Sequence, residues 1–100
     1  MGVQHSPGSL PADRRELEGW FRSEGLAARW WTNRPGDTYG WHDHPYHKVL
    51  ACHRGAIVFH TREGDVRLEP GDRLDIEPGT KHAATVGAEG VTCVEAPTPT

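Results

Sequence analysis

Two separated stretches of this 100-residue chain carry histidines at ligand spacing, Gly40-Trp41-His42-Asp43-His44 and Pro78-Gly79-Thr80-Lys81-His82. On a strand, residues i and i+2 point to the same face, so His42 and His44 can present two imidazoles side by side. A third imidazole from another strand, His82, would complete half a coordination sphere. Imidazole suits borderline transition metals, and rigid strands hold ligands with little entropy to lose on binding. The chemistry in outline is that of a metal centre. His47 is a candidate fourth ligand if a bulge shifts the register by one, because simple alternation turns it away from His42 and His44.

The residues around these histidines suggest a pocket. By regular alternation Lys48 shares a face with His42, His44, Leu50 and Cys52, so its amine would enter the same space and could attract a carboxylate or phenolate. A salt bridge from Lys48 to Glu77 or Asp75 is the alternative. Trp41 and Tyr46 flank the histidines and are expected to line the entrance, whereas one of Trp30 and Trp31 should point into the core. Cys52 is either a pocket residue or a buried filler; as a nucleophile it has no evident base other than the histidines. His5, His53 and His60 read as surface residues. No Gly-rich phosphate loop, Ser/His/Asp triad pattern or paired-carboxylate site accompanies these groups.

Positioning such a site requires strands, and the sequence supplies them. Residues 1–11 are rich in Gly, Ser and Pro and read as a flexible arm. A short helix is expected over 12–25, where Leu17, Trp20 and Phe21 have the i, i+3, i+4 spacing of an amphipathic face. From Leu26 onward short alternating runs are broken by turn residues, with hairpin tips at Glu63-Gly64-Asp65 and Pro78-Gly79 and a further break at Gly87-Ala88-Glu89-Gly90. Seven or so short strands in about 70 residues indicate an all-β sandwich or barrel. The Pro/Thr tail, 97–100, is expected to fray.

Length and composition limit the alternatives. One hundred residues, 35% hydrophobic and 25% charged, make one globular domain, assigned to residues 12–96. The net charge of -3 is spread without a run of like sign, which disfavours nucleic acid and anionic membrane as partners. No apolar stretch reaches the length of a signal-peptide core or a membrane span, so a cytoplasmic location with Cys52 and Cys93 as free thiols is expected.

The motifs resemble the two-part pattern of the cupin superfamily. His42-Asp43-His44, followed by Lys48 to Cys52 and Gly55-Ala56-Ile57, is similar to the first motif. Gly71-Asp72, Pro78-Gly79 and His82 are similar to the second. The resemblance covers roughly Tyr39 to Ala96 and implies a small single-domain jelly-roll β-barrel, RmlC-like, here with one short N-terminal helix. It also implies that His42, His44 and His82 converge inside the barrel on a divalent metal: manganese, iron, nickel, zinc or copper.

One position departs from the pattern: where cupins usually carry a ligand Glu, this chain has Lys48, and a protonated ammonium cannot ligate. Lys48 could turn away, the histidines could bind metal alone, or the site could be metal-free. Two functions follow. The protein is either a metal-dependent enzyme of dioxygenase, other oxidoreductase or isomerase type, or a non-catalytic module that binds or senses a small molecule. A homodimer is expected, with the helix bearing Trp20 and Phe21, or the Trp30-Trp31 strand, covering an edge of a second copy.

Overall fold

The computed structural model describes residues 2–99; Met1 and Thr100 lie outside the described residues. Eight elements follow one another: β1 (Val3–Ser6), α1 (Arg14–Ser23), β2 (Arg29–Asn33), β3 (Thr38–His42), β4 (His47–Thr61), β5 (Gly64–Leu68), β6 (Arg73–Ile76) and β7 (His82–Thr98). All pairings are antiparallel, along the path β1-β6-β4-β7-β2, with β3 added to β7 and β5 to β4. The expected all-β jelly-roll barrel with one short helix is what forms.

The helix starts where Asp13 caps it, its carboxylate accepting from the Glu16 N–H at 3.0 Å, and stops at Gly25, whose φ of 72° continues no right-handed turn. Leu17 and Phe21 are fully buried against Val49, Ala51, Val94 and Ala96, with Trp20 and Trp30 at the margin. This apolar face therefore covers the chain's own barrel and is not free to cover a second copy. Of the two contact surfaces expected for a dimer, the outer edge of β2 is the one left open among the described residues.

Strands β4 and β7 form the centre of the molecule, and each is buried on both faces. Val49 and Ala51 turn toward the helix, while Leu50, Cys52, Ile57 and Phe59 turn into the barrel with Leu68, Leu74, Val91 and Cys93. Two-sided burial explains why residues 48–52 form an unbroken buried run rather than an alternating one. On β7, Val91 and Cys93 face the interior, and by the same alternation so does Glu95.

Three expectations from the sequence change. The supposed break at 87–90 is a bend within one long strand, as is Gly55 on β4, where the pairing shifts register. Gly55 (φ 74°) and Gly90 (φ 77°) face each other so closely that a Cβ on Gly55 would lie 1.9 Å from the Gly90 carbonyl oxygen, so glycine lets the strand turn without ending. The expected flexible arm supplies β1: Val3 to Ser6 pair with Ile76 to Arg73, giving β6 a partner on its outer edge. Asp72 reinforces this by accepting from the Gly8 N–H at 3.1 Å and meeting the His5 ring at 3.2 Å. The tail is likewise paired as far as Thr98, opposite His47, instead of fraying from Pro97. No helix is long and apolar enough to cross a membrane.

Candidate metal centre

The histidine motifs meet at one end of the barrel. His42 ends β3 and His82 opens β7, and the two are direct cross-strand partners with ring centroids 4.3 Å apart. His44 lies two residues beyond the end of β3, just before Pro45, and its ring is 4.9 Å from that of His42 and 5.4 Å from that of His82. One nitrogen from each ring lies within 4.8 Å of the other two.

The rings are oriented from behind. Nδ1 of His42 lies 2.7 Å from the Gly40 carbonyl and Nδ1 of His82 lies 2.8 Å from the Thr80 carbonyl. A carbonyl only accepts, so each Nδ1 carries the proton and each Nε2 keeps a free lone pair for the space between the rings. Burial lowers the pKa of His44, helped by the Lys48 ammonium and the neighbouring imidazoles; Glu95 opposes this. Burial likewise lowers that of His82, with His42 and Lys48 adding to it against the Thr80 carbonyl and Asp43. Both shifts favour the neutral, ligating form. Three imidazoles so arranged fit a borderline divalent metal and leave coordination positions open.

The two motifs are also fastened to each other. The Gly79 N–H donates to the His44 carbonyl at 2.8 Å, and Lys81 pairs with Asp43 at 2.9 Å. The Lys81 contact holds the exposed Asp43 carboxyl below its usual range. Tyr46 stacks on His44, centroids 5.1 Å apart at 27°.

A cavity of about 220 Å³ opens beside the imidazoles, walled by Trp31, Tyr39, Tyr46, Leu50, Ile57 and Phe59. Its charged groups are Lys48, Arg29 and Glu95. Lys48 faces the site, as alternation predicts: its Nζ lies 3.5 Å from Nε2 of His44 and 3.4 Å from Oε1 of Glu95. Glu95 also accepts from Trp31 Nε1 at 2.9 Å and lies 3.9 Å from Arg29.

Other expected site residues lie elsewhere. His47 turns outward and binds Asp75 at 2.9 Å, because β4 keeps its regular alternation at this end. Asp75 is also gripped by Arg73, at 2.8 Å, so it is not the partner of Lys48; Glu77 binds the Gly2 N–H at 2.7 Å. Trp41, between Gly40 and His42, faces solvent and is 56% exposed, while Tyr39 and Trp31 form the wall expected of it. Cys52 is fully buried in the core opposite Cys93, away from the cavity; both thiols are free. A hydrogen bond with Cys52, together with burial, holds the Cys93 thiol well above its usual range. The sequence reading missed Glu95 and Arg29, although Glu95 stands in phase with Val91 and Cys93.

Residues 32–93 match the family model of the AraC-like ligand binding domain. The search of curated proteins found no match. Among solved structures, one of the DMSP lyases RdDddP and RnDddQII is 27% identical with a TM-score of 0.61, over 72% of this chain and 36% of that one. DMSP lyase DddQ from Ruegeria pomeroyi DSS-3 is 24% identical with a TM-score of 0.67, over 74% and 38%. A cupin domain from Bordetella pertussis Tohama I is 25% identical with a TM-score of 0.56, over 72% and 80%. The chain thus spans little more than a third of the length of the DMSP lyases and most of that of the isolated cupin domain.

Proposed function

The chain belongs to the AraC-like ligand binding domain family and has the fold of a small cupin, and from that premise we propose that it binds a small molecule beside a divalent metal held by His42, His44 and His82. The observation that carries this reading is the orientation of the rings. His42 and His82 each have Nδ1 tied to a carbonyl, which leaves Nε2 as the nitrogen able to ligate, and one nitrogen of each of the three rings lies within 4.8 Å of the others, the arrangement that fixes metal-ligating histidines. A divalent ion there would supply Lewis-acid polarisation or, if it were iron, copper or manganese, dioxygen chemistry. Trp31, Tyr39 and Phe59 offer an apolar wall to the organic part of the ligand, and Lys48 and Arg29 offer charge. The family match favours ligand binding as the role.

The likeness to a DMSP lyase at 27% identity supports a second reading, in which the same centre turns its ligand over. Tyr39, Tyr46, Lys48 and Glu95 are the titratable groups on the cavity wall besides the imidazoles and the always-charged Arg29, and they would have to move any protons. The deciding measurement is elemental mass spectrometry of protein purified without chelators, beside His82→Ala. Near-stoichiometric metal that is lost in the variant is the expected result. Absence of metal after reconstitution would leave a metal-free ligand pocket.

A further inference from the structure

Lys48 is nine-tenths buried, and its one counter-ion among the described residues is Glu95. Its side chain is 10% exposed, and its two polar contacts are long, 3.4 Å to Glu95 and 3.5 Å to His44. An ammonium has three donors, so at least one is uncommitted. Glu95, the one carboxylate on the cavity wall, is shared: Trp31 holds its Oε1 at 2.9 Å and Arg29 approaches its Oε2 at 3.9 Å. One buried cation, Lys48, and one at the mouth, Arg29, whose side chain is 78% exposed, therefore face one carboxylate that a neutral donor already occupies, which leaves the cavity net positive even before a metal adds to it. A buried ammonium that shares its one carboxylate and keeps a donor free favours an anion that completes the set. Apart from the three imidazoles the rest of the wall is aromatic or aliphatic, which favours an apolar body behind the charge over a bare inorganic ion.

We infer that the cavity takes a small organic carboxylate, its head between Lys48 and Arg29 and its apolar body against Trp31, Tyr39 and Phe59. Lys48 is then the residue that sets specificity, and Glu95 a positioning residue that holds the Lys48 ammonium in place. This inference rests on the ligand-binding reading above but not on the metal, since Lys48 and Arg29 act on the carboxylate directly.

The test is isothermal titration calorimetry on the full chain, stripped of metal, with three matched pairs: acetate and acetamide, butyrate and butyramide, benzoate and benzamide. The butyrate or benzoate pair should show the carboxylate bound about tenfold or more tighter than its amide, the size expected of a hydrogen bond to a charged partner. Lys48→Met should remove that preference and Lys48→Arg should keep most of it, with both variants checked for folding by thermal unfolding. Equal binding of acids and amides, no binding of any acid, or a preference that survives Lys48→Met would overturn the inference. A separate zinc and manganese titration keeps the two readings apart. Carboxylate preference without metal binding would sink the metal alone, and metal binding without carboxylate preference would sink this inference alone.

Discussion

His42 and His82 are held by one local device used twice, a ring Nδ1–H donating to the carbonyl two residues earlier, on Gly40 and on Thr80. No such bond is recorded for His44 among the described residues; it has the Tyr46 ring stacked on it and the Lys48 ammonium 3.5 Å from its Nε2. In the proposed metal centre Lys48 would therefore be the residue that limits affinity. A unit charge about 5 Å from a divalent ion repels it by several kcal/mol at an effective dielectric of about 20, and Glu95 offsets only part of this. Lys48→Glu should raise affinity for zinc or manganese by about tenfold or more, since it removes the repulsion and adds an oxygen donor; Lys48→Met should raise it less. Competition against a chromophoric chelator measures both, and a fall in affinity for Lys48→Glu would contradict this placement. The inward direction of Lys48 was legible in the sequence because strand alternation depends on nothing beyond the strand. Its partner was not: Glu95 reaches Lys48 only because β7 lies against β4 with Leu50 opposite Glu95, and strand register is a property of the pair.

The elements that carry the ligands are joined at the tight turn between β6 and β7. Gly79, at φ 77°, donates its N–H to the His44 carbonyl, so the backbone that aims His82 also anchors the loop bearing His44. Nothing lies within 4 Å of where a Cβ on Gly79 would be, so Gly79→Ala carries only the cost of a left-handed conformation, about 1–2 kcal/mol. The expected outcome is a Tm lower by roughly 4–16 °C for a domain of this size, with weaker metal binding as His44 loosens. Calorimetry with a parallel metal titration checks it; unchanged metal affinity would show that the turn stabilises the fold without positioning His44. The Pro78-Gly79 turn was readable because that dipeptide has few other uses. The continuity of β4 and β7 was not, since Gly55 and Gly90 look like strand ends until the strands are seen facing each other. The N-terminal strand was hidden for a related reason: residues 3–6 form β1 only because β6 presents an edge to them, and a polar sequence reveals nothing of a partner some seventy residues away.

At the scale of the whole molecule, the imidazole cluster and the N-terminal clasp make stability depend on pH in the same direction. His44 and His82 have pKa values lowered chiefly by burial, so below about 6.5, the ordinary histidine value, the unfolded chain binds more protons than the folded one. Stability must then fall as pH drops from that value toward the lowered ones. Asp72 acts further down: burial alone would raise its pKa, but the Glu69 N–H, the His5 ring and the Gly8 N–H outweigh burial and lower it. Its contribution is complete above about 3.9 and is lost as pH falls through its own lowered value. A divalent metal that binds the neutral imidazoles of the folded state would add to this dependence. At a free concentration one hundred times Kd it stabilises by about 2.7 kcal/mol, which for a domain of this size raises Tm by roughly 10–20 °C. That increment should shrink as pH falls below neutrality, because protons compete for the same nitrogens, and it should be absent in His82→Ala and reversed by chelator in the parent chain. Thermal unfolding with and without zinc, between about pH 5 and 8, separates the contributions. A metal-free Tm that declines toward acid with no zinc increment at any pH would leave the histidine linkage standing and remove the metal centre.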